Sequence, residues 1–275
     1  MKNIYFIKFL MISVIISCKG NNTKEIKIQE TSNKLNVDST TIDSLSTGSK
    51  KEILHLISLF KKRDIQAIAE KINYPLEREY PIPAIQTKEE FIKRFDQVFD
   101  EYLVKTVANS SITQWKEVGW RGIMLDDGII WMVNSDGIIS TVNYQSEYEK
   151  KWINELIASE KSTIHPSLSI YKTPIYKFKT KNYLIRIDEV NDNVYRYASW
   201  KVNQTDTAIP DLILTNGEMN FEGSGGNHVI AFTNGEYVYN VYRNILSESE
   251  EQDVTLVIEK NGKTILSEAG VLIKQ

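Results

Sequence analysis

Three Asn-Gly pairs, Asn216-Gly217, Asn234-Gly235 and Asn261-Gly262, punctuate the C-terminal part of this chain. Asn-Gly enters positive φ at both central positions of a tight turn, so between β-rich runs it marks a hairpin. The flanking residues alternate as strands do. Tyr183, Ile185 and Ile187 interleave with Leu184, Arg186 and Asp188, and Tyr237, Tyr239 and Val241 with Val238, Asn240 and Tyr242. A further strand follows Asn191-Asp192-Asn193 over 194–202, and 254–259 with 264–267 form the last hairpin. A succession of about eight short strands joined by tight turns predicts an antiparallel small barrel or sandwich over 164–275.

One loop in this region, Gly223-Ser224-Gly225-Gly226-Asn227-His228, lacks the following Lys-Ser/Thr and helix that a phosphate loop needs. It reads as a wide turn using positive φ at Gly223, Gly225 and Gly226. The alternative is a ligand rim in which His228 and backbone N–H groups hold a polar group.

Upstream the period changes. Ser49-Lys50-Lys51-Glu52 is a capping box, followed by Ile53, Leu56, Ile57 and Phe60 on one face. Asp64 caps a second helix through Ile65, Ile68, Ala69 and Ile72, ended by Tyr74-Pro75. Thr87-Lys88-Glu89-Glu90 opens a long helix through Phe91, Phe95, Val98, Phe99, Tyr102 and Leu103. Strands are expected over 115–120, 122–125, 128–133 and 137–143, with Asp127-Gly128 and Asp136-Gly137 as turns, then a helix over 146–162 and a joint over 164–173.

The order of helices and then an antiparallel meander, carried by residues 59–64, the helix around Phe91 and Phe95, and the run from Trp120 to Trp131, resembles the NTF2-like (SnoaL-like, cystatin-like) α+β cone over 49–163. That resemblance implies a conical cavity, in which enzymes of the fold place an Asp, His or Tyr. The candidates for its lining are Tyr80, Asp96, Trp115, Trp120 and Trp131. The expected architecture is thus α+β, a cone followed by an all-β module.

The N-terminus supplies an address. Lys2 and Lys8 flank the start of an apolar run over 9–16, too short for a bilayer-spanning helix of about 20 residues. Ile15-Ile16-Ser17-Cys18 resembles a bacterial lipobox, and Cys18 is the chain's sole cysteine. The resemblance implies a signal peptide over 1–17, acylation of Cys18 and anchoring in the bacterial envelope, in the outer membrane. Residues 18–48 are polar and without aromatics, and read as a disordered tether. Asp38-Ser39-Thr40 and Asp43-Ser44-Leu45 resemble an acceptor pattern for bacterial O-glycans.

Composition excludes some classes. A net charge of −3 argues against nucleic acid as a partner. A single cysteine excludes a disulfide scaffold. His55, His165 and His228 stand far apart in sequence, so neither a metal nor a cofactor is implied. The leading expectation is a non-enzymatic lipoprotein that binds a small molecule or an envelope protein. The alternative is an enzyme using the cone for acid–base or hydrolytic work. A third reading is a hydrolase inhibitor, since Tyr197-Ala198-Ser199-Trp200 resembles a segment of small β-barrel lysozyme inhibitors, although their disulfide is missing.

Overall fold

The structure, a computed structural model, describes residues 45–133, 136–223, 225–245 and 253–273. The signal peptide, Cys18, the tether up to residue 44 and both O-glycan acceptor serines lie outside them. Asp43–Gln275 form one compact unit.

Helix α1, Thr47–Lys62, opens a turn earlier than the Ser49 box implies. Ser46 is the cap, its hydroxyl accepting from Ser49 N–H at 3.0 Å, and the extra turn lets Leu45 join the core. Asp64 caps α2, Ile65–Ala69, which is shorter than its apolar pattern. Ile72 has left the helix and forms a parallel bridge with Ile139.

The long helix expected from residue 87 is two helices, α3, Lys88–Val98, and α4, Glu101–Ala108. Asp100 makes the break by offering its carboxylate to Leu103 N–H at 3.0 Å, starting a new helix. The break keeps Phe99 in the core, stacked on Phe95 at 5.3 Å and against Phe60 at the same distance.

Strands β1, Trp115–Glu117, β2, Ile123–Leu125, β3, Ile130–Met132, and β4, Ile139–Val142, form an antiparallel sheet in that order. The strand expected over 115–120 stops at Glu117. Gly119 takes φ +52°, and residues 119–121 form a tight helical turn that leaves Trp120 66% exposed. The inward residues of this sheet and the four helices share one apolar cluster.

Helix α5, Glu147–Thr163, leads into β5, Thr173–Lys179, β6, Tyr183–Asn191, β7, Val194–Lys201, β8, Leu212–Phe221, β9, His228–Asn234, β10, Tyr237–Arg243, β11, Val254–Lys260, and β12, Lys263–Leu272. These eight strands close into an antiparallel barrel rather than a sandwich. Closure is by the short pairing of Val271 and Leu272 with Lys179 and Phe178.

Strand β8 changes partners along its length. Residues 212–217 pair with β7, and residues 218–221 pair with β9. Asn216-Gly217, expected to turn a hairpin, lies inside β8 instead: Asn216 takes φ +58° at the switch, and Gly217 beside it faces the ring of Phe232. Each half of β8 therefore leaves a wedge on its unpaired side.

Helix α5 joins the two cores and is clamped at both ends by buried Arg–Glu pairs. Arg78 forks onto Glu149 at 2.7 and 2.6 Å, and its remaining N–H groups reach the carbonyls of Val142 and Tyr144. Arg186, on the outer face of β6, forks onto Glu160 at 2.7 and 2.9 Å. Asp188 then holds Arg186 at 2.7 Å and Arg196 at 2.6 Å, all three being buried. Burial alone would raise the Glu160 carboxyl, but the Arg186 hydrogen bond and charge outweigh it and hold the group below its usual range.

Candidate functional site

The antiparallel course brings the start of β5, the β6–β7 turn, the 222–227 loop, the β10–β11 connection and the end of β12 to one end of the barrel. Inward-facing side chains at this mouth include Tyr176, Tyr195, Met219 and His228. The 222–227 loop is shaped by Gly223, φ +74°, and Gly226, φ +86°. It is closed by Glu222 N–H donating to Asn227 O at 2.7 Å, and tied to the next connection by Ile245 N–H donating to the Asn227 side chain. Gly225 borders Ser224, outside the described residues.

His228 Nδ1 lies 2.9 Å from the Gly226 carbonyl, which only accepts, so Nδ1 carries the proton and Nε2 presents a lone pair. Burial pushes the imidazole below its ordinary value despite the Gly226 hydrogen bond, and the charge of Arg243 acts with burial. The ring is therefore neutral at pH 7. Tyr176 stands across the mouth, ring centroid 6.0 Å from His228, its hydroxyl raised by burial and so held as O–H.

Both rings are buried, and neither Tyr176 Oη nor His228 Nε2 has a hydrogen-bond partner among the described residues. An unmade hydrogen bond at a buried polar atom costs about 1–3 kcal/mol, so this end of the barrel retains one free donor and one free acceptor at a measurable cost. Phe221, 69% exposed, stands edge-on to His228 at 5.9 Å. The outer wedge between β7 and the end of β8, about 330 Å³, is lined by Asn193, Tyr195, Glu218, Met219, Asn220 and Phe221.

A wider depression of about 620 Å³ lies on the α/β half, with Glu79, Asp127 and Lys150 among its lining residues. Burial raises the Glu79 carboxyl there. Two of its other polar groups are already used: the Asn143 amide donates to Gly128 O at 2.7 Å and the Tyr144 hydroxyl to Asp100 at 2.7 Å. The mouth, with polar atoms left over, is the stronger candidate.

No family model, curated protein or solved structure matches the chain. Among the described residues no group of three or more His, Cys, Asp or Glu is placed to hold a metal ion, and no helix is long and apolar enough to cross a membrane.

The five residues expected to line a cone do not meet in one cavity. Trp115 is buried in the first core, its indole N–H donating to Ser110 Oγ at 3.0 Å. Trp131 lies under Arg121, and Trp120 is on the surface. Asp96 is exposed and paired with Arg63. Tyr80 is turned the other way, electrostatically coupled to Glu160, Arg186 and Asp188, with its hydroxyl buried and raised by desolvation. The space between helices and sheet is filled by Phe60, Phe91, Phe95 and Phe99.

Sequence reading missed Tyr176 and Arg243 at the mouth. Both sit in ordinary strand alternation; the register of the β9–β10 hairpin sets Arg243 opposite His228, while only barrel closure brings Tyr176 beside it.

Proposed function

We propose that this chain is an envelope lipoprotein, acylated at Cys18, whose barrel is a non-enzymatic binding module with its site at the mouth formed by Tyr176 and His228. The carrying observation is the pair of buried, unpartnered polar atoms, Tyr176 Oη and His228 Nε2, at a mouth rimmed by exposed Phe221. A ligand or a partner's side chain inserted there gains the hydrogen bonds that the folded chain leaves unmade. In this reading residues 18–44 form the tether. The α1–β4 half is assigned to the NTF2-like class on its element order, and acts as the support on which α5 fixes the barrel. A core filled with phenylalanine favours that supporting role over catalysis in a cone.

The test is a thermal-shift screen of the full chain against small polar molecules, repeated on Tyr176→Phe/His228→Phe. Ligands that stabilise the wild type and lose their effect in the double variant support the site. Ligands that stabilise both equally place binding elsewhere and refute it.

A further inference from the structure

Resting on that reading of the mouth, we infer that its ligand is a neutral saccharide, held by hydroxyl groups between Tyr176 and His228 with its ring against Phe221.

The two free atoms are complementary rather than alike. Tyr176 Oη offers a proton, and His228 Nε2, with Nδ1 committed to Gly226, takes one. A hydroxyl both accepts and donates, so one sugar hydroxyl, or two adjacent ones, satisfies both atoms without a change of protonation. A carboxylate or a phosphodiester accepts only and would leave Nε2 unpaired unless the buried imidazole took up a proton. An ammonium donates only: it can pair with Nε2 and with a lone pair of Tyr176 Oη, but it leaves the Tyr176 O–H proton without an acceptor.

The surrounding charge points the same way. Glu222, electrostatically coupled to His228, and Glu218, in the adjoining wedge, oppose an anion. Arg243 faces both Tyr176 and His228, opposing a cation, and its guanidinium is tied to the carbonyls of Asn244 and Asp253 at 2.7 and 2.8 Å. A neutral ligand meets neither penalty.

The wedge, which borders the mouth through Tyr195, Met219 and Phe221 and is not itself lined by Tyr176 or His228, adds the remaining features. Phe221 presents an open aromatic face, on which the C–H side of a sugar ring loses water without losing hydrogen bonds. Asn193, Asn220 and Glu218 bring planar amide and carboxylate groups to its edge, able to bond to outward hydroxyls. At about 330 Å³ the wedge is at the small end for ligand sites, matching one or two sugar rings rather than a long chain.

The experiment uses the full-length chain at pH 7.5, with the ring resonances of His228 followed by NMR. The probes are glucose, galactose, mannose, lactose and maltose, with glucuronate and glucosamine as charged counterparts, and acetamide and acetate as small controls. At least one neutral sugar should shift the His228 signals, the matching acid or amine binding at least tenfold more weakly. Phe221→Ala, a surface change, should weaken that sugar at least tenfold while leaving the melting temperature close to wild type.

If charged forms bind as well as neutral ones, or only acetamide or acetate moves the His228 signals, the saccharide assignment is overturned and the mouth stands. If no probe moves them, both fail.

Discussion

Gly217→Ala should destabilise the barrel through a single contact. A Cβ on Gly217 would stand 2.7 Å from Cδ1 and Cζ of the Phe232 ring and closer still to Cε1. Carbon atoms pack at about 3.5–4.0 Å, so the ring or the strand must move by roughly 1 Å. Phe232 cannot turn outward, because it is fully buried and packed on Tyr197 at 5.7 Å. Nor can β8 retreat freely, because Gly217 pairs with Tyr195 and adjoins the point where the strand changes partners. Overpacking of this kind costs about 1–3 kcal/mol, which for a domain of this size lowers the melting temperature by roughly 2–12 °C. The assay is thermal unfolding followed by circular dichroism. Phe232→Leu shortens the side chain, so the double variant should lose at least about 1 kcal/mol less than the sum of the single changes. A Gly217→Ala protein melting within 1 °C of wild type, or additive single and double variants, would refute the reasoning.

Asp188→Ala leaves Arg186 and Arg196 buried without their shared carboxylate and should cost about 3–5 kcal/mol in denaturant unfolding; a loss below 1 kcal/mol would show the network to be dispensable. His228 is held below its ordinary value by burial, so between its folded value and 6.5 the unfolded chain binds a proton that the folded chain does not. Its contribution to stability is complete above pH 6.5 and falls as the pH drops below it, so His228→Phe should flatten the decline in melting temperature between pH 7.5 and 5; an unchanged slope would exclude His228 as the source. Cys18→Ala should abolish labelling by a radioactive fatty acid and stop signal-peptide removal; normal processing and labelling would end the lipoprotein reading.

The local devices were legible in the residues themselves. Asp64 and Thr87 cap helices because a side-chain oxygen can reach the backbone N–H groups just after it. Asn261-Gly262 turns a hairpin because both residues enter positive φ cheaply, and Gly235 helps to turn another, whereas Asn216-Gly217 lies inside β8. A run of such hairpins already narrowed the C-terminal part to a barrel or a sandwich. The choice between them was not local, since it depended on Val271 and Leu272 meeting Lys179 and Phe178 across the whole module. The break between α3 and α4 was missed because Phe95, Phe99 and Leu103 keep helical spacing straight through it, and only the core decided that Phe99 should face inward with Asp100 as a new cap. Where each aromatic would sit was hidden for a related reason: an aromatic at strand spacing carries no sign of whether it enters a core, as Trp115 does, or rides on a turn, as Trp120 does. His228 was visible in its glycine loop, and Arg243 stands opposite it in the β9–β10 hairpin, but Tyr176 comes from β5, far away in the chain. Strand pattern determines which face a residue takes, while barrel closure and register determine which side chains from distant strands share that face, so the mouth existed only once the structure had closed.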